Sequence, residues 1–153
     1  MLTIPHVAAL IATLILFSSA FQAGQPIPRR FTCDGQGTPP PLAWTAPPKG
    51  TRSFALRMYD PDARGFVHWL AWGIPAAARA VEGAREGTND FGRRGYGGPC
   101  PPPGTTHRYV FVLYALARPL RLATGARAPA FTAAVRTAGV LRQATLTGTY
   151  RRG

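Results

Sequence analysis

At 153 residues, with 46% hydrophobic content and a mean hydropathy of −0.04, the chain is long enough to bury a core without help from metal or disulfides. It is too apolar for a disordered chain and too polar for a polytopic membrane protein. The formal charge of +12 (18 minus 6) does not nominate nucleic acid, because Lys49 is the one lysine and the arginines come in ones and twos rather than in a tract; it reads as solubility and non-specific association, with no specific nucleic-acid partner.

Residues 1–20 form an apolar segment that reaches Arg29 before meeting a charge. Its strongly apolar part, Ile4 to Phe17, is too short for a membrane span. One reading is a signal-peptide core with Ser18-Ser19-Ala20 as the cleavage site, although only the terminal amine and His6 stand where lysine or arginine is usual. The other makes Leu14-Ile15-Leu16-Phe17 the first strand of a single domain over 14–153. The first reading places the protein in the periplasm or outside the cell, the second in the cytoplasm, and the sequence leaves both open.

Glycine and proline together supply 33 residues (17 plus 16), which implies many turns and short strands and hence a mainly β domain. They are dense from Gln25 to Gly50, an irregular meander pinned by Phe31, Leu42 and Trp44. Ser53 to Tyr59 then reads as a strand with Phe54, Leu56 and Met58 on one face, stopped by Asp60-Pro61-Asp62. After a tight turn at Arg64-Gly65, Val67 to Pro75 reads as its antiparallel neighbour, which brings His68 back beside Asp60 and Asp62. Residues 76–95 look like loop. Gly95 to Tyr109 is a glycine- and proline-rich loop carrying His107, and it feeds an apolar strand running to Leu116. Phe131, Ala134, Val135, Ala138 and Leu141 have helical spacing over 130–144, and Leu146 to Tyr150 alternates as a last strand.

Cys33 and Cys100 form one bridge or none, and neither sits in a zinc-type spacing. The tryptophans Trp44, Trp69 and Trp72 read as core rather than as a stacking platform. The polar candidates for a site are Asp60, Asp62, His68, His107, Arg108 and Tyr109. Arg108 alternates to the face opposite His107 and Tyr109, so an ion pair competes with ligand contact as its role.

Asp60-Pro61-Asp62-Ala63, His68-Trp69, and Gly97-Gly98-Pro99-Cys100-Pro101-Pro102 with His107-Arg108-Tyr109 resemble the two signature blocks of the phosphatidylethanolamine-binding protein family, in particular its bacterial Raf-kinase-inhibitor-like branch. Phe31-Thr32-Cys33-Asp34-Gly35, Asn89-Asp90-Phe91-Gly92 and Gly148-Thr149-Tyr150-Arg151-Arg152 extend the resemblance over nearly everything after Leu14. It implies a sandwich of two antiparallel sheets with a short peripheral C-terminal helix, and a small surface pocket for an anion such as phosphate or phosphoethanolamine. Its walls would be Asp60, Asp62, His68, Pro99, His107 and Tyr109, with Gly98 offering backbone amides. Where the family usually has a second proline after the D-P-D-A run, this chain has Arg64-Gly65-Phe66, which implies a tighter and more basic rim.

An anion needs donors, and imidazolium, open backbone amides and a phenol supply them. The two carboxylates fit if one holds a histidine protonated or receives the ammonium of a zwitterion. No G-x-S-x-G elbow or Ser/His/Asp order supports hydrolysis. The expectation is therefore non-catalytic ligand binding, with no cofactor and no metal. A protein-interaction or kinase-inhibitor-like module is the rival reading, and a metal-dependent hydrolase built on two histidines and two aspartates a more distant one. Peripheral membrane contact and a homodimer are further expectations for partners.

Overall fold

The structure, a computed structural model, describes residues 13–153. Residues 1–12, which hold most of the apolar segment that the signal-peptide reading needs, lie outside the described residues. Strand β1 (Leu16–Phe17) pairs antiparallel with β2 (Ala43–Trp44), and this two-stranded sheet covers one face of a larger one. The larger sheet is made by β3 (Ser53–Asp60), β4 (Phe66–Pro75), β5 (Arg85–Glu86), β6 (Thr106–Leu116) and β7 (Val140–Arg151). Its order is β5-β4-β3-β6-β7, antiparallel throughout.

Strands β3, β4 and β6 are buried on both faces, which is why their sequences are nearly continuous apolar runs. Alternation along each strand sorts the side chains into two cores. Phe54, Leu56, Met58, Trp69, Tyr109, Phe111 and Leu113 face the meander with Phe31, Leu42 and Trp44. Ala55, Leu70, Trp72 and Leu116 face helix α1 (Ala128–Ala138) through Phe131, Val135 and Ala138. All three tryptophans are buried, as expected.

Besides β5, which falls where the sequence reads loop, two boundaries differ from the sequence reading. The helix ends at Ala138 rather than at 144 because Gly139, at φ 84°, turns the chain out of it, and Gly139 O accepts from Ala117 N–H at 2.8 Å. Beyond Gly139 the chain forms a full edge strand, β7, paired along β6 from Val140 to Arg151, so Leu141, expected on the apolar face of the helix, is 42% exposed instead. The second difference concerns the site. Strand β6 starts at Thr106, so His107, Arg108 and Tyr109 are strand residues, registered against Tyr150, Thr149 and Gly148, and not part of the loop.

A cavity at one end of the sheet

Asp60 ends β3, and its geometry is set by the turn that comes next. Its Oδ1 accepts from the amides of Asp62 (2.7 Å) and Ala63 (3.1 Å), capping a short 3-10 turn that Pro61 opens. Its Oδ2 meets His107 Nδ1 at 2.6 Å, with both side chains largely shielded from water. A carboxylate accepts, so Nδ1 carries the proton and Nε2 is the nitrogen left to His107 for other work.

His68 comes from the neighbouring strand and is 3% exposed. Its Nδ1–H donates to Gly97 O at 2.7 Å, while Gly97 N–H donates back to His68 O at 2.8 Å. The rings of Phe66, Phe91 and Tyr109 stand edge-on to it, with centroids 5.1 to 5.3 Å away. Burial holds the His68 ring below its ordinary value against the opposing pull of the Gly97 carbonyl and Asp60. Burial thus favours the neutral imidazole at His68, and the histidine that meets a carboxylate, as the sequence reading allowed, is His107.

Tyr109 is fully buried, and its hydroxyl finds no hydrogen-bond acceptor among the described residues. Burial first, and the Asp60 carboxylate next, push the phenol well above its usual range, while the Cys100 amide pulls the other way. That amide is a donor, so the proton of the hydroxyl still lacks an acceptor.

These groups enclose a cavity of about 140 Å³, lined by Asp60, Ala63, Phe66, His68, Phe91, Cys100, Pro101, Pro102, His107 and Tyr109. Four of the residues named from the sequence, Asp60, His68, His107 and Tyr109, thus meet at one small space. Three do not. Asp62 turns away to an ion pair with Arg108: it accepts from the Arg108 backbone amide (2.8 Å), from Nε (3.2 Å) and from a terminal guanidinium nitrogen (2.9 Å). Those bonds hold its carboxyl down to about 2. Gly98 and Pro99 belong to the layer behind: Pro99 O accepts from Cys33 N–H, and a Cβ on Gly98 would stand 2.7 Å from Phe31 O. The expected basic rim is also absent from the lining, since Ala63 and Phe66 face the cavity and Arg64 does not.

Ala63, Phe66, Phe91, Cys100, Pro101 and Pro102 are wall residues that the sequence reading did not name as lining. Phe91 is set by Asn89, which is buried, accepts from the amides of Phe91 (3.0 Å) and Arg93 (3.2 Å), and donates to Gly95 O (3.0 Å). Gly97 makes room for it, because a Cβ there would lie 2.5 Å from the Phe91 ring. The Asn-Asp-Phe-Gly turn was the signal available for this wall. Cys33 and Cys100, left open by the sequence, are bonded, with their Cα atoms 5.4 Å apart, and they tie the meander to the cavity wall. Among the described residues, no group of three or more His, Cys, Asp or Glu side chains is placed to hold a metal ion. No helix among them is long and apolar enough to cross a membrane.

The sheet and its end-on cavity define a β protein in which His, Asp and Tyr side chains meet in a small space with largely apolar walls. The family model for phosphatidylethanolamine-binding protein matches residues 17–151, and the chain belongs to that family. A UPF0098 protein of Methanothermobacter thermautotrophicus is 42% identical over 151 residues, covering 90% of this chain and 99% of that protein. LppC of Mycobacterium tuberculosis, whose name places it among candidate lipoproteins, is 41% identical over 146 residues, covering 90% and 72%. Among solved structures, YbcL of E. coli, described as a new member of the mammalian family of these proteins, superposes with a TM-score of 0.83. It is 30% identical, over 93% of this chain and 100% of that one.

Proposed function

We propose that the cavity binds, without catalysis, the phosphate group of a small ligand. The observation that carries this is the buried Tyr109 hydroxyl, whose proton has no acceptor, on the same cavity wall as a His107 ring whose Nδ1 is already committed to Asp60. A buried donor left unpaired costs about 1–3 kcal/mol, and an anion that accepts from it recovers that cost. The neutral His68 adds an acceptor for the proton of a monoprotonated phosphate. At about 140 Å³ the space is below the ~300 Å³ of ordinary small-molecule sites, which suits a headgroup rather than a whole metabolite.

The zwitterion reading is narrowed by the same geometry. Asp62 lies outside the cavity lining in its ion pair with Arg108, and Asp60 already accepts from Asp62 N–H, Ala63 N–H and His107, so little carboxylate capacity is left in the cavity for an ammonium. Phosphate and phosphoethanolamine should therefore bind with affinities within a few-fold of each other. Calorimetric titration of both tests this, with Tyr109→Phe weakening both by about tenfold, the worth of one hydrogen bond to a charged group. Absence of saturable binding by either ligand removes the proposal. For compartment, the Cys33–Cys100 bond and the lipoprotein name of a relative support export, since structural disulfides persist in oxidising surroundings; fractionation of the producing cell checks it.

A further inference from the structure

Arg52 is far in sequence from Arg118 and Arg121, yet all three line one groove of about 550 Å³ against the Ala134, Thr137, Ala138 edge of α1. The groove lies at the opposite end of the sheet from the cavity. Arg52 precedes β3, whose other end is Asp60, and Arg118 follows β6, whose other end holds His107. Eight strand residues at about 3.3 Å each separate the two places by about 25 Å. The backbone carrying the arginines is fixed: Arg52 N–H donates to Leu116 O (2.8 Å), and Ser53 Oγ donates to Arg118 O (3.0 Å).

No carboxylate neutralises this groove. All six carboxylate side chains fall between Asp34 and Asp90, so α1 and the segments beside it contain none. Asp34, Asp60 and Asp62 are paired with Arg152, His107 and Arg108, and none of the three groove arginines has a carboxylate partner among the described residues. The C-terminal end of α1 offers a helix dipole worth about −0.5 charge, which leaves roughly +2.5 of the three guanidinium charges uncompensated. Arginine forks match phosphate oxygens in pairs, and the Pro119, Ala134 and Ala138 surfaces between them are apolar.

We propose that this groove is a second anion site, for a phosphate-bearing ligand larger than the cavity at the other end can hold. The chemistry is shared by a soluble phosphate ester and by an anionic lipid headgroup. The test is titration of the ¹⁵N-labelled protein, at fixed ionic strength, with pyrophosphate in one arm and with vesicles of phosphatidylcholine, with or without phosphatidylglycerol, in the other. The arginine Nε–H signals are followed. Saturable shifts are expected at Arg52, Arg118 and Arg121 but not at Arg94 or Arg151.

Arg118→Gln with Arg121→Gln should weaken binding by about tenfold or more per arginine. Thr137→Glu, which adds a charge and removes no arginine, should weaken it as well. Pyrophosphate shifts alone assign a soluble ligand, and phosphatidylglycerol-dependent binding through the same arginines assigns a lipid headgroup. Silence in both arms, or shifts of equal size at every exposed arginine, overturns the site. His107→Ala leaves this binding unchanged if the two sites are independent, and an equal loss there also overturns it.

Discussion

Asp60 does two jobs with two oxygens, and substitutions separate them. Asp60→Ala removes the turn cap and the His107 partner together and should cost about 2–3 kcal/mol in urea denaturation, one cap plus one buried hydrogen bond. Tyr109→Phe is its opposite. Because the hydroxyl is buried and its proton has no acceptor, its loss should leave the melting temperature unchanged or slightly raised while phosphate affinity falls. His68 sets a pH signature. Its folded value lies below its ordinary 6.5, so the stability it contributes is full above about 6.5 and is lost as pH falls toward the folded value. His68→Gln should flatten that loss in thermal melts taken from pH 7 downward. Asp60, His68, His107 and Tyr109 were legible in the sequence because few residue types do this chemistry and two hairpin-linked strands had to bring them together. Phe66 and Phe91 were not, because a wall aromatic looks like any core aromatic until the fold places it.

At the scale of elements, the strands declared themselves where both faces are buried, and β3, β4 and β6 stand within three residues of where their apolar runs place them. The helix end failed because Val140, Leu141 and Ala144 satisfy helical spacing and strand pattern alike, leaving Gly139 as the single decisive residue. The loop behind the cavity is equally dependent on one glycine. A methyl on Gly98 would meet Phe31 O at 2.7 Å and Thr32 Cα at 3.0 Å, backbone atoms that cannot rotate away. Gly98→Ala should cost about 2 kcal/mol. Gly104→Ala meets nothing within 4 Å, and its φ of 80° costs about 1 kcal/mol. Chemical denaturation of the pair should rank them in that order.

Across the whole molecule, the disulfide joins positions 67 apart, and opening so long a loop in the unfolded chain is worth about 4 kcal/mol in the entropic account. Cys33→Ser with Cys100→Ser should lower stability by up to that amount and loosen the cavity wall, read as weaker phosphate binding. The same long-range organisation gathers Arg52, Arg118 and Arg121 at one end of the sheet and His68 with His107 at the other, a polarity that no local stretch of sequence could reveal. On the proposed function, His68 and His107, 39 positions apart (107 minus 68), serve one anion in one cavity. Histidine-ring NMR during a phosphate titration tests this most directly: both rings should shift together along one saturable curve, displaced about tenfold to higher phosphate in Tyr109→Phe. Shifts at neither ring, or at one ring alone, would contradict it.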